Sequence, residues 1–512
     1  MQSWKNLIFI CKIFIKEQFL FIKKYIMKID IGKLFRLIII TTWVILFGRL
    51  LSRDYFIEKL EIRESQAIQR GLEETYMGIY FQKERIGYVK NHMEREEADV
   101  FTLNQAAVMN LNILDKTYPI KMNLIAELND ASLLKNFRFN LFSTFYELHV
   151  QGEVIGNEVH YSMNTGKDET SNIIQLSEPP FILTHMRSYL LQKDLKEGEK
   201  FKIPYFDPVT MSGQESIIEY KGFKKEFFRE KGRIYNLHHF VEKIGGMWID
   251  FYLDQDGKLV KETSPAGFVF YAEPEFRAKD IISKGAELLG AVSVPATGQI
   301  YDMSLLSNIS YQLTMPEDHA FNLNQDRQIF KNNILTINKE NIPNKNAMVC
   351  IDHNDLLKAT PYIQSDNKFI IEQAETIIRN ANNDLQKVNA LINWVYLNID
   401  KKPVLSIPDA VSTLQSRVGD CNEHAALFAA LSRSVSIPAR VAAGVTYHDG
   451  TFYYHAWNEV CIDGKWISLD TTSNQFPADV SHIKFVEGET IEQVKIGALL
   501  GRLTIEILGN NS

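Results

Sequence analysis

The sequence is poor in cysteine, carries no excess of positive charge and contains no repeat. Four cysteines in 512 residues are too few for the disulfide framework that stabilises small exported domains. The net charge of −7 gives no reason to expect nucleic acid as a partner. Without a repeat of fixed period or a long low-complexity tract, most of the chain should fold, and its length predicts two to four domains.

The sequence also has few long segments without charged residues. One short uncharged segment follows a basic region at the amino terminus. Residues 37–48 (LIIITTWVILFG) carry no charge, but these twelve residues fall short of the roughly 20 that a spanning helix needs. An extension to 34–51 suffices if Arg36 and Arg49 reach the lipid head groups. Because the basic side stays in the cytoplasm, we predict a cytoplasmic segment 1–33 and a single-pass signal anchor 34–51 in the inner (cytoplasmic) membrane. The main domains would then be periplasmic or otherwise extracytoplasmic.

Two alternatives for the amino terminus stay open. The first is a cleaved signal peptide, although no small-residue cleavage site follows the apolar run. The second is translation from Met27, because residues 27–48 alone form a short basic region followed by an apolar core. A start at Met27 would leave the topology unchanged.

Residues 54–295 predict a β-rich antiparallel domain. Short alternating segments are separated by turns, for example around Lys83-Glu84 and at Asp256-Gly257, a pair that suits a tight type I′ hairpin. One helix is expected near 180–193. The region contains no nucleophile or metal cluster in sequence, so its role is left open.

The remaining region, 300–512, contains helical periodicity. Apolar residues recur at helical spacing in 368–380 and in 384–398. A further short helix is expected over 409–417. These helices lead into a cysteine-containing segment.

Cys421 is predicted to be the first residue of a buried helix. Asp420 is a suitable N-cap, and Glu423 three residues later completes a capping box. The run AALFAAL that follows is apolar on nearly all sides. The helix dipole and the free N–H groups at this end favour the thiolate, which would lower the pKa of Cys421.

Three antiparallel strands follow this helix. Two Asp-Gly pairs, at 449–450 and 463–464, predict the turns between them. If the second turn is a two-residue loop, Ile462 pairs with Lys465, and the register of the whole hairpin follows from that pair.

This register brings His455 towards Asp470. The count places Trp457 opposite Asp470, so His455 and Asp470 become diagonal neighbours on one face, about 7–8 Å apart at the backbone. It also places Gly444 opposite His455. A glycine there would leave room for the tip of the Cys421 helix to approach the imidazole.

Three interpretations of Cys421 compete. It could be a packing residue, a zinc ligand with His424 and His455, or a nucleophile. The zinc set lacks a second paired ligand. A nucleophile needs a base and a group that orients the base, and His455 with Asp470 can supply both. The Cys421 backbone N–H is a candidate oxyanion donor.

The other cysteines are Cys11, Cys350 and Cys461. Cys11 would lie on the cytoplasmic side, which leaves an odd number of extracytoplasmic thiols. A Cys350–Cys461 bridge would leave Cys421 free, but the sequence does not show whether it forms.

The motifs around Cys421 resemble those of the transglutaminase-like superfamily of papain-like folds. The resemblance covers about 385–490 and rests on three blocks in order, GDCNEHAALFAALSRSVSIPARVAAGV, HAWNEV and KWISLDTT. The matching residues are Gly419, Cys421, Ala425, Pro438, Ala439, Arg440, Gly444, His455, Ala456, Trp457, Trp466, Asp470 and Thr472. The resemblance implies a core of helices packed on an antiparallel sheet, a Cys421–His455–Asp470 triad, and acyl transfer from an amide to water or to an amine.

These patterns together predict an α+β protein with an N-terminal transmembrane helix, a β-rich antiparallel domain and a transglutaminase-like domain. The expected function is that of a cysteine hydrolase or acyltransferase acting on a peptide or protein outside the cytoplasm. The alternative is a catalytically silent module that binds or scaffolds in the cell envelope. Asp420, Gly444, Trp457 and Trp466 are expected to line the cleft or support the triad. No metal or organic cofactor is expected, and no protein partner is indicated.

Overall fold

The computed structural model describes residues 39–47, 58–59, 74–97, 100–129, 131–165, 169–182, 187–192, 194–228, 232–281, 287–316, 321–342, 348–350 and 353–509. The chain divides into a small unit, 1–59 with 199–201, and a large unit, 60–198 with 202–512. In the small unit, 39–47 form helix α1, whose side chains are exposed, and Glu58–Lys59 form the short strand β1.

None of the helices in the described ranges is long and apolar enough to cross a membrane. The predicted anchor 34–51 extends beyond the described residues at both of its ends, and the predicted segment 1–33 lies outside them. The anchor and the topology drawn from it therefore stay predictions.

The first half of the large unit is an extended sheet in which every pairing from β11 onward is antiparallel. Its strands are β2 (Thr75–Phe81), β3 (Glu84–Glu97), β4 (Val100–Ile113), β5 (Lys116–Asn129), β6 (Leu134–Phe142), β7 (Glu147–Ile155), β8 (Glu158–Asn164), β9 (Glu169–Gln175), β10 (Lys200–Asp207), β11 (Ser212–Phe228), β12 (Arg233–Ile244), β13 (Met247–Leu253), β14 (Leu259–Thr263) and β15 (Phe268–Ala272). The order β10 to β15 followed by β2 to β9 joins two meanders through the β15–β2 pair. The predicted β-rich antiparallel region is thereby confirmed.

Two local predictions in this sheet need correction. The hairpin at Asp256-Gly257 exists, but its loop runs over 254–258, because the Asp254 side chain accepts bonds from the backbone N–H groups of Asp256 (3.0 Å) and Lys258 (2.9 Å). Such an Asx-type loop replaces the tight two-residue turn. The helix expected near 180–193 is a short 3₁₀ helix at Arg187–Gln192, with 183–186 outside the described residues.

The second half contains a further sheet, in the order β18-β19-β17-β26-β16-β23-β22-β25, with β24 paired to β23. Its strands are β16 (Val294–Thr297), β17 (Asn308–Thr314), β18 (Gln328–Lys331), β19 (Ile334–Asn338), β22 (Ala439–His448), β23 (Thr451–Ile462), β24 (Lys465–Leu469), β25 (Ile483–Glu487) and β26 (Thr504–Gly509), while β20 (Asp400–Lys401) pairs with β21 (Val418–Gly419). Strand β16 joins the two parts of this sheet, because it lies antiparallel to β23 and parallel to β26.

The large unit also contains seven described helices. They are α2 (Glu275–Ala278), α3 (Leu288–Val292), α4 (Lys368–Ile378), α5 (Asp384–Asn398), α6 (Ala410–Ser416), α7 (Cys421–Ser434) and α8 (Thr490–Gln493), with 3₁₀ turns at Met303–Leu305, Asn354–Leu357 and Val494–Leu499. Helices α4 to α7 share a core with β22, β23 and β24, as their periodicity predicted. The other end of β22 and β23 packs, on the same face, in a separate core with β17, β19 and β26.

The two halves are joined by shared packing. Tyr362, Val404 and Ile407 of the second half lie in the same hydrophobic core as the strands of the β-rich half. The Tyr362 hydroxyl donates to the Val209 carbonyl at 2.7 Å, and the Ser412 hydroxyl donates to the Thr165 carbonyl at 3.1 Å. The β-rich half therefore has a fixed position against the helices.

A disulfide links Cys350 to Cys461 on β23 and leaves Cys421 as a free thiol. The pairing that the sequence left open is present. It connects the segment before α4 to the central strand of the second sheet, across a sequence separation of 111 residues.

We expect a Cys350→Ala/Cys461→Ala variant to lose about 2–4 kcal/mol of unfolding free energy, because the bridge restricts a long loop in the unfolded chain. Urea denaturation with and without reductant measures this loss. Reductant should lower the unfolding free energy of wild type to that of the double variant, and it should leave the unfolding free energy of the variant unchanged. Non-reducing peptide mapping without a Cys350–Cys461 cross-link would contradict the pairing.

Candidate active site

Cys421 opens α7, and a confirmed capping box holds the start of this helix. The Asn422 N–H donates to Asp420 Oδ1 at 2.9 Å, and the Asp420 N–H donates to Glu423 Oε2 at 2.9 Å. Gly419 makes this possible, because a Cβ there would lie 2.5 Å from the Glu423 Cβ. Ser406 also donates to Glu423, so the capping carboxylate is anchored on both sides.

The rest of α7 is buried from Glu423 to Arg433, as its apolar sequence predicted. Asn458 on β23 ties the helix to the sheet, because its side-chain amide donates to the carbonyls of Ala425 (2.9 Å) and Arg440 (3.4 Å). Since Asn458 lies three residues beyond His455 on the same strand, this amide fixes the helix tip relative to the imidazole.

The predicted strand register is confirmed within the β23–β24 ladder, but the predicted Trp457–Asp470 pair is not formed, because β24 ends at Leu469 and Asp470 pairs with Gln475. Ile462 pairs with Lys465, Asn458 pairs with Leu469, and Gly444 lies opposite His455. Asp470 follows the last residue of β24. The His455 Nε2–Asp470 Oδ2 distance is 3.1 Å.

The structure also brings Cys421 to His455. The His455 ring and the Ala456 backbone N–H both lie close enough to the Cys421 sulfur to favour its ionised form. Because Nε2 of His455 faces Asp470, Nδ1 is the ring nitrogen left to exchange a proton with the thiol. Cysteine, histidine and aspartate therefore lie in one row.

The expected lowering of the Cys421 pKa is wrong. Burial, with a further contribution from the Asp420 carboxylate, raises the pKa of this thiol, although His455 and the Ala456 N–H oppose the rise. The helix N-terminus does not compensate for the loss of water around the sulfur. The thiolate therefore depends on His455 to take its proton.

The negative charge on Asp470 raises the pKa of the His455 imidazole. Burial disfavours a charged His455 ring, but Asp470 and Cys421 outweigh it and raise the pKa of His455 to about 9. Burial likewise opposes ionisation of Asp470, yet His455 and His482 hold its pKa well below the usual range. The resting site is thus an aspartate–imidazolium pair beside a thiol.

His482 and Ser473 complete the surroundings of Asp470, and sequence reasoning missed both. His482 Nε2 lies 3.3 Å from Asp470 Oδ2, and Ser473 Oγ donates to the same oxygen at 2.6 Å. The Thr472 N–H donates to Oδ1 at 2.7 Å. The β23–β24 hairpin register ends before Asp470 and carries no signal for His482; only the nearby Ser473 could have been inferred.

The predicted supporting residues have different positions. Asp420 caps α7, as described above. Trp457 is buried, with its ring centroid 6.1 Å from His455 and 5.1 Å from His482. It packs behind the imidazole as a rigid apolar wall.

Trp466 does not line the cleft. It shares a face with His455 but pairs with Cys461, six residues further along β23. At about 3.4 Å per residue this is roughly 20 Å from the imidazole. Arg440 covers its ring there, with the guanidinium 4.0 Å from the centroid.

The reason expected for Gly444 is also wrong. Gly444 lies in the cleft with Cys421, but a Cβ there would be 1.9 Å from the Ile483 carbonyl oxygen. The glycine therefore makes room for β25, where the pairing shifts register between Ala443 and Gly444, and not for the tip of α7.

Side-chain atoms of the kind that bind metals come together in one place beside Cys421. Side-chain atoms of His455, Asp470 and His482 lie within 4.8 Å of one another. The zinc set weighed from the sequence is not assembled among the described residues: His424 Nδ1 bonds to the Asp420 carbonyl at 2.7 Å, and its Nε2 is buried without a partner.

A cavity of about 430 Å³ opens onto Cys421, Asn422, Gly444 and His455. Its other walls come from both halves of the large unit. A substrate carbonyl placed in it would meet the sulfur and the imidazole together.

We expect the contribution of His482 to the stability of the fold to decrease as the pH becomes alkaline. Burial opposes its charge, but Asp470 and Asp479 raise the pKa of His482 to about 9, from an ordinary value of 6.5. Its bonds thus stabilise the fold fully below about pH 6.5 and are lost as pH rises through about 9. Between these values the melting temperature of wild type should fall more steeply than that of His482→Gln. His448→Gln, which changes an exposed histidine, should follow wild type, and parallel curves for wild type and His482→Gln would contradict the assignment.

Comparison with known proteins identifies one part of the chain. Residues 371–471 match the family model of the transglutaminase-like superfamily. An uncharacterized protein of Haemophilus influenzae is 30% identical over 108 residues, which are 20% of this chain and 29% of that relative. The chain thus spans under a third of the length of this relative.

The solved structures that are similar to this chain have low TM-scores. A protein of Cytophaga hutchinsonii, provisionally named a cysteine protease, shares 19% identity at a TM-score of 0.25 and covers 40% of this chain and 86% of its own. A β-barrel-like protein of unknown function from Brucella abortus shares 12% identity at a TM-score of 0.30 and covers 39% of this chain and 95% of its own. The family match shows that the segment containing Cys421, His455 and Asp470 is a transglutaminase-like domain.

Proposed function

We propose that this protein is a cysteine enzyme that cleaves or transfers an amide bond of a peptide or protein. The observation that carries the proposal is the row of Cys421, His455 and Asp470 at the base of a cavity. Each residue type has a position suited to its part in acyl transfer. The match of this segment to the transglutaminase-like superfamily supports the same chemistry.

In the first step, once the pair has lost the proton that the raised pKa of His455 retains, Nδ1 of the neutral ring takes the thiol proton, and the sulfur of Cys421 attacks the amide carbonyl carbon. The C–N bond then breaks, the leaving nitrogen receives the proton from His455, and a thioester remains on Cys421. In the second step, water or an amine attacks the thioester carbon and gives a proton to His455. The C–S bond breaks, and the proton returns to the sulfur.

Asp470 acts as a positioning residue in this scheme. Its bond to Nε2 holds the ring so that Nδ1 faces the sulfur, and its charge stabilises the imidazolium that forms during attack. His482 and Ser473 keep the carboxylate in place. Hydrolysis and transamidation share the thioester and differ in whether water or an amine reaches it.

We further propose that these domains work outside the cytoplasm, anchored through 34–51. The Cys350–Cys461 disulfide supports an oxidising compartment, because such bridges are rare in the cytosol. The substrate would then be an extracytoplasmic peptide or protein.

We expect His455→Ala to slow alkylation of Cys421 by iodoacetamide by about tenfold or more, since each pKa unit of lost stabilisation removes a factor of ten in thiolate. Mass spectrometry of the labelled full chain measures the rate at Cys421 itself. His448→Ala, an exposed histidine at the end of β22, serves as the control and should label like wild type. Equal rates in wild type and His455→Ala would refute the triad and favour a non-catalytic module.

We expect Asp470→Asn to move the pH profile of Cys421 alkylation towards lower pH. Cys421 and His455 become reactive when the pair loses one proton, and the Asp470 charge holds that proton by raising the pKa of His455 to about 9. Without the charge the proton leaves more easily, so the midpoint should fall by about one unit or more. Asp449→Asn, at an exposed turn, should leave the midpoint unchanged. A midpoint that stays or rises in Asp470→Asn would contradict this role.

A further inference from the structure

The β-rich half, whose role the sequence left open, forms one wall of the cavity in front of Cys421. Met247 at the start of β13, Phe268 at the start of β15, and Leu288 and Val292 of α3 all face this space. These residues lie more than a hundred positions before the nucleophile in sequence. The β-rich half therefore reaches the proposed reaction centre directly.

The facing wall comes from residues 494–500, the segment after α8. This segment also contacts the β-rich half beside the cavity. Ile496 and Leu500 line the cavity from this side. A Cβ at Gly497 would lie 2.4 Å from the Met247 sulfur, so the methionine packs directly over this glycine. At the adjacent turn, a Cβ at Gly245 would lie 3.3 Å from the Val494 side chain, and a Cβ at Gly246 would lie 3.3 Å from the Lys495 Cα. Contact along the whole segment fixes the width of the cavity.

The chemistry of the lining is apolar beyond the reacting groups. None of the described residues that line the cavity is Asp, Glu, Lys or Arg, and the polar side chains are those of Cys421, Asn422, Tyr454, His455 and Gln493. A charged group entering this space would lose water, and the one charge in the lining, on the His455 ring, is already paired with Asp470, so its entry is unfavourable. An apolar side chain would exchange water for methionine, leucine and phenylalanine contacts, which is favourable.

We propose that the β-rich half is the specificity element of the enzyme, forming an apolar subsite for a bulky uncharged side chain next to the cleaved amide. This proposal rests on the proposed function. The volume of about 430 Å³ exceeds what one side chain fills, so a peptide segment with an apolar residue fits better than a single small group. Peptides with acidic or basic residues at that position are rejected.

The test uses two neutral reagents with the same reactive carbon, N-benzyl iodoacetamide and the polar N-(dihydroxypropyl) iodoacetamide. Their rates at Cys421 in the full chain are each divided by the rate with free glutathione. In wild type this rate ratio should be about tenfold higher for the benzyl reagent than for the polar one, as expected when an apolar group fills an apolar pocket next to the sulfur. Leu288→Glu should abolish this preference, because it places a carboxylate in the uncharged wall.

Leu289→Glu is the matched control, since Leu289 is the next residue of the same helix, is 37% exposed and does not line the cavity. It should keep the benzyl preference. Val292→Glu repeats the test from the other end of α3 if Leu288→Glu fails to fold. No benzyl preference in wild type, or equal loss in the Leu288 and Leu289 variants, would overturn the subsite.

The two proposals fail separately. Plain iodoacetamide with His455→Ala reports the triad and does not depend on the subsite. A triad that responds to His455→Ala without a benzyl preference removes only the specificity role of the β-rich half. A benzyl preference that persists in His455→Ala, with unchanged iodoacetamide labelling, leaves an apolar binding pocket without catalysis.

Discussion

The carboxylate of Asp470 is the buried charge on which the arrangement of the site depends. Its side chain is 4% exposed, and a carboxylate so buried is costly unless donors surround it. Thr472, Ser473, His455 and His482 supply these donors within 2.6–3.3 Å. Asp470 in turn determines which nitrogen of His455 faces the thiol and raises the pKa of the ring. The protonation of His455 beside Cys421 therefore depends on how the protein solvates one buried anion.

The second constraint is the packing between the two halves of the large unit. Tyr362 and Val404 join the core of the β-rich sheet, so this sheet is held against the helices that present Cys421. In the proposed enzyme, Cys421 and His455 would define the reaction and the walls of the cavity would select the substrate. One of these walls comes from a region whose sequence shows no chemical motif.

Local sequence reasoning failed where a distant element decided the outcome. The helix start at Cys421 predicted a lowered thiol pKa, but burial by the surrounding core raises it. Gly444 was placed correctly opposite His455, yet its missing side chain accommodates the β25 backbone. Trp466 was placed on the correct face and still lies far along the strand from the imidazole. In each case the sequence predicts the position of the residue correctly, but it does not predict which distant residues surround it.

The capping box at Asp420, the helices around it and the hairpin register that carries His455 towards Asp470 can be predicted from sequence alone. These features follow from interactions within a few residues or from turns whose geometry sets the pairing. The second histidine at Asp470, the Cys350–Cys461 bridge and the wall formed by Met247 and Leu288 become visible only in the folded protein. These contacts join segments far apart in the chain, and their positions depend on packing of whole sheets, which no local pattern encodes.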